Sequence, residues 1–436
     1  MTPFDIGLIA ILLLVVLILI GMPIGIGMLA VSFGGVAFIR SDTVAVRMMT
    51  QVANDSLEEY LFAVVPLFVL MGLLVTVSGV GKDTFDVFQR LLRRVTAGLG
   101  VATVFANAVF AAITGISIAS ATVFSRIAVP EMRRHGYTNR FSTGVVAGSS
   151  VLGMMIPPSL LMIVYAVLAE QSVGRMFLAG VGPGLLLAVA FTLTILLLAW
   201  TRRDFVFESS DHASYDDITT LQIFAKSIPI LSLMILVLGG LYGGFLNPTE
   251  AGAAGAFGAL VIALLRRSLD RKTLWSLLVE TGQITVSVLF LILAATFFSR
   301  MLALSGVPRE LSEWVLTGNI GPYGFLLAYV VLIVALGCLI DSISIMLIVL
   351  PISLPIAQAA GLDLIWFGVI TVISVEIGLL TPPFGLSVYT IKAAMDDPDL
   401  KVGEIFRGAV PFILAMLASL VVIIAFPSIA TWLARL

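Results

Sequence analysis

The chain has 436 residues, of which 60% are hydrophobic and only 11% are charged, and its mean hydropathy is +1.13. Soluble domains carry about 25% charged residues, so this composition is that of a polytopic membrane protein. The 24 lysines and arginines against 26 acidic residues leave no basic excess for binding nucleic acid, and the single Cys338 excludes an internal disulfide. Only two histidines are present, far apart in the sequence, so we expect no zinc site.

The first 97 residues predict the opening membrane spans. Residues 6–39 are apolar around a GMP turn and contain no lysine or arginine, which is typical of two membrane helices rather than a cleaved signal peptide. A further apolar run at residues 60–77 is long enough for one span and is followed at once by SGVG. Residues 82–94 place aromatic and aliphatic side chains at helical spacing among charges. They predict an amphipathic helix on the membrane surface, with an ordinary solvated connector as the alternative.

Residues 98–135 predict a hairpin that enters the membrane and returns to the same side. As one straight helix this segment would extend about 57 Å, far beyond a hydrocarbon core of about 30 Å. Its polar, flexible middle is TGISIAS, and the arms on either side are somewhat short of a full crossing. The arginine-rich segments RLLRR and RRHGYTNR flank it, so both ends should face the cytoplasm. We expect a re-entrant hairpin with its tip at Gly115; two complete helices with a periplasmic turn are the alternative.

Two proline pairs interrupt segments that otherwise read as membrane helices. Pro157 and Pro158 lie within GMMIPPSLLMIVYAV, and Pro382 and Pro383 lie within GLLTPPFG. Adjacent prolines remove two backbone donors, so each helix must break there. In hydrocarbon such a break is tolerated only where it is buried in protein or lines a polar cavity. Each break is therefore a candidate binding site.

The polar stretch TRRDFVFESSDHASYDD divides the chain into halves, and its arginine pair places it on the cytoplasmic side. Beyond it, apolar runs predict spans at about residues 223–242, 251–265 and 274–304. Thr249 is the candidate N-cap of the second of these helices, with Glu250 favourably placed in its first turn.

The second half of the chain repeats the first. Agreement across several separated anchors makes an internal duplication the best interpretation. The second hairpin, residues 323–360, lies in a stretch without lysine or arginine, so its ends should face the periplasm and its topology is inverted relative to the first. The matched anchors, at offsets of 225 to 228 residues, are SGV at 78 and 305, ISI at 116 and 343, PP at 157 and 382, and GVGP at 180 with GAVP at 408.

The predicted fold is an all-α polytopic membrane protein built from an inverted-topology repeat, with two re-entrant hairpins and two broken helices. This geometry is typical of secondary transporters, because half-helix termini attract anions and free carbonyls attract cations near the midplane. No GxxxxGKS, HExxH or GxSxG motif is present, so nothing points to ATP hydrolysis or to an enzyme.

Polar residues cluster at both tips and at both breaks and define two candidate sodium sites. Any one serine or threonine in a membrane helix commonly bonds only its own backbone, so the clustering carries the prediction. The first site comprises Thr114, Gly115, Ser117, Ser120, Ser149, Ser150, Gly153 and Ile156, and the second comprises Asp341, Ser342, Ser344, Glu376, Gly378, Leu379 and Thr381.

Three charged residues lie in apolar surroundings. A carboxylate such as Asp341 inside a hairpin is costly unless it is paired or bound to a cation, so a functional role is the default. Glu376, close to the second break, either faces a polar crevice or is neutral. Arg300 either extends its charge to the membrane surface or binds a substrate carboxylate through two hydrogen bonds.

Several segments together resemble the large membrane subunit of tripartite ATP-independent periplasmic (TRAP) transporters. They are GMPIGIGM, NPTEAGAAGA, SIASATVFSRIAVPEMRRHGY, GMMIPPSLLMIVY and GLLTPPFGLSVY, and the resemblance covers essentially the whole chain. It implies a sodium-coupled, elevator-type importer of organic acids, such as C4-dicarboxylates or sialic acid, in the bacterial inner membrane. It also implies a separate small four-helix membrane subunit, a periplasmic substrate-binding protein, contact with membrane lipid and no cofactor beyond sodium ions. Substrate binding would then involve Arg300, Ser117, Pro157 and Pro382.

On this interpretation scaffold and transport parts alternate along the chain. The predicted parts are residues 1–97 (scaffold spans and arm), 98–200 (first hairpin and broken helix), 201–222 (cytoplasmic linker), 223–320 (second scaffold spans and arm) and 321–436 (second hairpin, broken helix and last span).

Two other functions remain as rivals. One is a stand-alone sodium/carboxylate symporter without a binding protein. The other, from another class, is a non-transporting membrane scaffold or enzyme.

Overall fold

The computed structural model describes residues 1–58, 60–208, 219–318 and 321–435. Over these ranges the chain is almost entirely helical, as predicted. Residues 209–218 of the predicted linker at 201–222 lie outside the described residues.

In the first half, the opening helices are joined by short turns at the positions that the sequence predicts. Gly21 in the GMP turn has a φ of +96°, in the left-handed region that glycine adopts without steric cost. The third predicted span, residues 60–77, begins with a 3-10 turn at Tyr60–Ala63 and continues as a helix at Val64–Val77. The helices are α1 (Pro3–Leu19), α2 (Ile24–Ile39), α3 (Asp42–Glu58), α4 (Val64–Val77), α5 (Val80–Leu92), α6 (Gly98–Thr114), α7 (Ser117–Arg134), α8 (Asn139–Ser150), α9 (Leu152–Met155), α10 (Leu160–Leu168), α11 (Val173–Thr201) and α12 (Arg203–Val206).

The second half repeats this order. A π-helical turn at Ile235–Gly239 lies within its first span, and a 3-10 turn at Leu433–Arg435 follows its last helix. The helices are α13 (Thr220–Met234), α14 (Gly240–Tyr242), α15 (Pro248–Leu265), α16 (Arg271–Ser305), α17 (Val307–Thr317), α18 (Gly321–Gly337), α19 (Ser342–Ala359), α20 (Leu364–Leu380), α21 (Leu386–Met395), α22 (Val402–Ala425) and α23 (Ser428–Thr431).

In the described part of the chain, six helices are long and apolar enough to cross a membrane, and two bent pairs bring the number to eight. One bent pair is α4 with α5, which turn by 64° at Gly79, so α5 leaves the direction of the span as an arm. The other is the first broken helix, α8 and α9 with α10, which bends by 42° at its proline pair.

The internal duplication is confirmed in atomic detail where a span meets its arm. Ser78 Oγ donates to the Val75 carbonyl at 2.7 Å and accepts from the Val80 amide. Ser305 Oγ makes the equivalent pair of bonds, to the Leu302 carbonyl at 2.7 Å and from the Val307 amide. The glycines that follow have φ values of +76° and +77°. The same local sequence therefore builds the same joint twice.

The N-cap predicted for α15 is wrong. Asn247, rather than Thr249, accepts the Glu250 amide on its side chain at 2.8 Å, while the Glu250 carboxylate accepts the Asn247 amide at 2.8 Å. This is a capping box, and Pro248 occupies the first helical position, where its missing donor costs nothing. Thr249 thus lies inside the first turn, and its hydroxyl is buried without a partner among the described residues.

The predicted scaffold and transport parts divide the helices into two groups, and this division stays a prediction. We call α6–α12 with α18–α23 the hairpin group, and α1–α5 with α13–α17 the scaffold group. Within the hairpin group α8 and α22 touch backbone to backbone, since a Cβ added at Gly144 would lie 2.2 Å from the Gly408 carbonyl oxygen. Within the scaffold group a Cβ at Gly255 would lie 2.3 Å from the Met71 sulfur, so α15 packs closely on α4. Such glycine contacts let membrane helices approach closely.

Candidate ion and substrate site

The tip of the first hairpin lies against the first proline break. Gly115, with a φ of +64°, accepts the Leu160 amide on its carbonyl oxygen at 3.2 Å. A Cβ at Gly115 would lie 2.4 Å from the Pro158 carbonyl oxygen, and a Cβ at Gly153 would lie 3.1 Å from Ser117. The backbone of the tip therefore fits into the interruption of the helix, and any larger residue at Gly115 would force the two apart.

Ser159 replaces one of the two hydrogen-bond donors that the proline break removes. Prolines at 157 and 158 take away the amide donors that the carbonyls of Gly153 and Met154 would have in a continuous helix. Ser159 Oγ donates to the Met154 carbonyl at 2.5 Å and accepts the Met162 amide at 3.3 Å, which caps α10. The Gly153 carbonyl is left without its helical donor, at a point where the hairpin tip arrives.

A buried asparagine that sequence reasoning missed joins the hairpin to the broken helix. Asn107 on α6 donates to Ser149 Oγ at 2.6 Å and accepts from Ser120 Oγ at 2.6 Å, and all three residues are fully buried. Asn107 thus ties both arms of the hairpin to α8. Its signal was available, because it is a polar residue in the otherwise apolar run of α6.

Other residues of the first predicted site follow the ordinary pattern of hydroxyls in membrane helices. Thr114 donates to its own backbone at the Phe110 carbonyl, and Ser150 donates to the Ala147 carbonyl. Ile156 ends α9, and its backbone amide donates to the Leu152 carbonyl at 2.8 Å. Both hydroxyls keep a second lone pair as acceptor capacity.

The second hairpin meets the second broken helix through two glycines. A Cβ at Gly337 would lie 2.7 Å from the Gly378 Cα, so α18 and α20 touch backbone to backbone just before the tip and the break. Asp341 stands at the tip as the N-cap of α19 and accepts the Ser344 amide at 3.1 Å. Asp341 is exposed, whereas Ser342 and Ser344 are buried.

The two breaks differ in exposure. Pro157 is buried, while Pro382 is exposed. Thr381 bridges the second break from within, because its hydroxyl donates to the Ile377 carbonyl at 2.7 Å and its amide to the Gly378 carbonyl at 2.9 Å. Leu379, whose carbonyl lacks its helical donor because of Pro383, is buried directly beside them. The two predicted sites therefore differ in the exposure of their breaks.

The two sites share a wall. Ser117, at the tip of the first hairpin, donates from Oγ to Glu376 Oε1 on α20 at 3.5 Å, across 259 residues of sequence. Glu376 is fully buried, and its other oxygen, Oε2, has no hydrogen-bond partner among the described residues. Glu376, predicted as part of the second site, thus reaches the first. A buried carboxyl oxygen without a partner is costly unless a proton or a cation accompanies it.

The oxygen atoms around Glu376 fit a hard cation. Sodium prefers carboxylate, hydroxyl and carbonyl oxygens, and the tips and breaks supply all three kinds. Ser117 and Glu376 would hold it at the shared wall. Two carbonyls without helical donors are candidates to join them: that of Leu379, on the same helix as Glu376, and that of Gly153, which packs on Ser117. The sodium ligands remain a prediction.

The second half carries a comparable polar link, although at a position that does not match Asn107 in the repeat. Tyr329 on α18 and Thr371 on α20 are joined through their hydroxyl oxygens at 2.8 Å, and both residues are buried. Asn107 and Ser149 join α6 to α8 in the first half in the same way. Each hairpin therefore has a buried side-chain hydrogen bond to its broken helix, although the residue types differ.

The hairpin group is also joined at its cytoplasmic end. Arg133, in the last turn of α7, donates to Asp397 at 2.7 Å, in the loop after α21. The hydrogen bond from Arg133 lowers the pKa of Asp397 below its usual value. Arg126 on the same helix donates to the Ala394 carbonyl at 3.2 Å. The first hairpin and the second broken helix are therefore held together at two positions along α7.

Arg300 lies apart from both tips. It pairs with Asp55 on α3, with 2.7 Å between Nη2 and Oδ2. The cavity beside it is lined by the second half of α19, from Leu350 to Gln358. At 1.5 Å per residue these positions lie roughly 15–25 Å along α19 from Asp341. The residues that line this cavity with Arg300 do not include Ser117, Pro157 or Pro382, and its role in binding substrate stays a prediction.

Two hairpins whose tips fit into two broken helices, in a twofold repeated membrane protein, define a membrane transport protein of the secondary class. The family model described as "Tripartite ATP-independent periplasmic transporter, DctM component" matches residues 11–429. The chain belongs to this family, which confirms the resemblance seen in its sequence. It is the large permease subunit of a TRAP transporter, a multi-pass protein of the bacterial inner membrane, and not an enzyme.

Individual relatives align with this chain over nearly its full length. A C4-dicarboxylate TRAP transporter large permease protein of Pseudomonas aeruginosa is 33% identical, covering 88% of this chain and 89% of its own. An ectoine/5-hydroxyectoine TRAP transporter large permease protein of Ruegeria pomeroyi is 30% identical, with 97% of both chains covered. The sialic acid TRAP transporter permease protein of Haemophilus influenzae is 28% identical over 98% of this chain and 68% of its own.

One solved structure supports the fold. The YdaH transporter of Alcanivorax borkumensis superposes with a TM-score of 0.55 over 85% of each chain. At 15% identity this likeness concerns the fold alone.

Proposed function

We propose that this permease subunit imports an organic acid by sodium-coupled symport, through an elevator movement of the hairpin group against the scaffold group. The observation that carries the proposal is the wall shared by the two sites, where Ser117 meets the buried Glu376. A sodium ion at Glu376 would supply positive charge to a carboxyl oxygen that the described protein leaves without a partner. Binding of the ion would then also fix the tip of the first hairpin.

The substrate class follows from charge and from the relatives. The three relatives described above are named as transporters of C4-dicarboxylates, sialic acid and ectoine, and each of these compounds carries a carboxylate. Half-helix N-termini at α7, α10 and α19 carry partial positive charge, which favours a carboxylate between the tips and the breaks. Sodium bound beside them would add to that attraction, so ion and acid would each raise the affinity for the other.

Movement between the two groups would have to exchange the contacts between them. One is apolar: Phe68 on α4 meets Phe177 on α11 edge-on, with ring centroids 6.0 Å apart, and such a contact can be replaced without leaving a polar group unpaired. Two others would have to be broken. A Cβ at Gly72 would lie 2.7 Å from the Thr114 carbonyl oxygen, and Gln89 on α5 donates to Glu131 on α7 at 3.0 Å.

The partners follow from membership of the family. We propose that a separate small four-helix membrane subunit packs on the scaffold group and that a periplasmic binding protein delivers the acid. The chain alone would then bind sodium but import little acid.

Uptake into proteoliposomes tests the function. The chain, its small subunit and its binding protein are reconstituted, and labelled succinate, sialic acid and ectoine are offered under an inward sodium gradient or an equal potassium gradient. We expect uptake of one acid that requires both the sodium gradient and the binding protein. Uptake at full rate without sodium would disprove the coupling, and uptake at full rate by the chain alone would favour a stand-alone symporter.

A further inference from the structure

A cavity of about 550 Å³ lies between the scaffold group and the hairpin group, away from the tips. The end of α10 and the second half of α19 line one side, and α3 and α16 line the other. By the charge rule this is the periplasmic side, since the ends of the second hairpin face the periplasm. Its charged residues are Arg300, Asp55 and Glu170, and Gln358 adds a polar amide. A solute arriving from the periplasm would therefore meet one guanidinium and two carboxylates.

Arg300 and Asp55 form a single-contact ion pair. One bond of 2.7 Å joins Arg300 Nη2 to Asp55 Oδ2, and the side chains are 35% and 51% exposed. A guanidinium has five N–H donors in a planar fork, so this bond uses only one of them. A carboxylate can accept two parallel bonds from such a fork, which is the stronger arrangement. The contact seen here is therefore weaker than the one that a fully seated carboxylate would make.

We propose that Asp55 is an internal competitor for Arg300, which a substrate carboxylate displaces as the acid enters this cavity. Asp55 is then a specificity-determining residue. It keeps the guanidinium neutralised when no acid is present and lowers the affinity for every carboxylate that must replace it. The inference rests on the proposed carriage of carboxylates, and it adds a residue and an entry site that lie apart from the hairpin tips.

The strength of the pair decides whether this exchange is feasible. Ion pairs as exposed as this one change an equilibrium by about two- to fivefold, because water screens them. A carboxylate that makes two bonds to Arg300 can overcome such a barrier, whereas a neutral solute cannot replace the charge of Asp55. The pair therefore excludes neutral analogues at little cost in affinity for acids.

Chemical modification of Arg300 tests the exchange without requiring transport. Phenylglyoxal reacts with unpaired guanidinium groups, and mass spectrometry of the full chain in lipid nanodiscs gives the rate at Arg300. Arg309 serves as the internal standard, because it pairs with Glu313 at 3.0 Å on the surface. Acetate and succinate are the carboxylate probes, and acetamide is the matched neutral probe.

We expect Asp55→Asn to raise the modification rate at Arg300 about two- to fivefold with no change at Arg309. Acetate should then protect Arg300 in the variant at a concentration two- to fivefold lower than in the wild type, and acetamide should not protect. Asp55→Glu retains the charge and should behave like the wild type. Asp55→Ser provides a second neutral variant.

Two results would overturn the inference. An equal rate at Arg300 in the wild type and both neutral variants would show that Asp55 does not occupy the guanidinium. A faster rate without protection by acetate or succinate would show that the vacated position does not accept a carboxylate. Either result leaves the sodium-dependent uptake of the reconstituted complex unaffected. Conversely, absence of sodium coupling would leave the modification rates as they are, so the two failures are distinguishable.

Discussion

Hydroxyl and carboxyl side chains of the same type have different roles in this protein according to what surrounds them. Thr114 and Ser150 bond their own helices, as most membrane serines and threonines do. Ser117 and Ser120 instead reach across to other helices, at Glu376 and Asn107. Local sequence alone does not separate the two groups, because Thr114 lies in the same short polar stretch, TGISIAS, as Ser117 and Ser120.

Asp341 combines a capping role with a predicted ionic one, and two substitutions separate them. Asparagine caps a helix about as well as aspartate, so Asp341→Asn should keep the fold while it weakens the sodium dependence of uptake. Asp341→Ala should lose both and cost about 0.5–2 kcal/mol of stability. Sodium titrations of uptake and thermal melts of the two variants check this. An unchanged sodium response in both would remove Asp341 from the second site.

Glu376→Gln keeps the size of the side chain and its bond with Ser117 but removes the charge available to a cation. A hydrogen-bonded charge contributes about 1.5–3 kcal/mol, so the apparent affinity for sodium should fall roughly ten- to a hundredfold. Sodium binding to the purified chain, followed by calorimetry, gives the constant. Glu313→Gln, on the exposed face of α17, is the matched control and should bind sodium normally. Equal affinity in the two variants would contradict a role for the Glu376 charge.

At the scale of elements, an ionic cluster holds the first arm to the scaffold of the second half. Lys226 on α13 bonds Asp86 and lies 3.5 Å from Asp83 on α5. Arg266, at the end of α15, bonds Asp83 at 2.5 Å and the Ser78 carbonyl at 3.2 Å. The charged side chains are 15% to 30% exposed, so the cluster is shielded more than a surface pair. It therefore fixes α5 at its joint with α4.

Exchanging the charges tests this cluster. Asp86→Lys alone should destabilise the protein by about 1.5–3 kcal/mol, since it leaves Lys226 beside a like charge. The double variant Asp86→Lys with Lys226→Asp restores an opposite pair but also places a carboxylate beside Asp83, so it should recover part of the loss. Thermal unfolding in detergent at low and high salt measures both. A double variant no more stable than Asp86→Lys would show that the pair does not hold the arm.

The turns and helix breaks were predictable where individual residues restrict the backbone directly. The GMP turn, the two SGV joints, the two hairpins and the two proline breaks all lie where the sequence predicts them, because glycine and proline restrict the backbone directly. The N-cap of α15 was assigned two residues too late, because Asn247 and Thr249 are both capping residue types. The contact of Ser117 with Glu376 was beyond prediction, since no periodicity links residues 259 apart. The partner of Arg300 was unpredictable for the same reason.

At the scale of the whole molecule, the two halves of the repeat differ in the exposure of their breaks. Each half has the same serine joint and a buried side-chain hydrogen bond between a hairpin arm and the broken helix. The first break is buried and the second is exposed. A protein that carries a solute across a membrane must exchange such states. The account therefore depends on movement of the hairpin group relative to the scaffold group.

Cross-linking tests that movement most directly. In a background with Cys338→Ser, cysteines replace Phe68 and Phe177, which meet across the boundary between the groups. The control pair replaces Phe191 and Phe412, which meet inside the hairpin group with ring centroids 5.7 Å apart. Both pairs are buried, so the substitutions disturb packing to a similar extent. A short, membrane-permeant bifunctional maleimide joins each pair, and mass spectrometry gives its yield.

The deciding measurement is sodium-driven uptake of the acid by the reconstituted complex after each cross-link has formed. The account predicts that joining positions 68 and 177 reduces uptake in proportion to the yield, while joining 191 and 412 leaves it unchanged. Full uptake by protein that is completely cross-linked between 68 and 177 would contradict it.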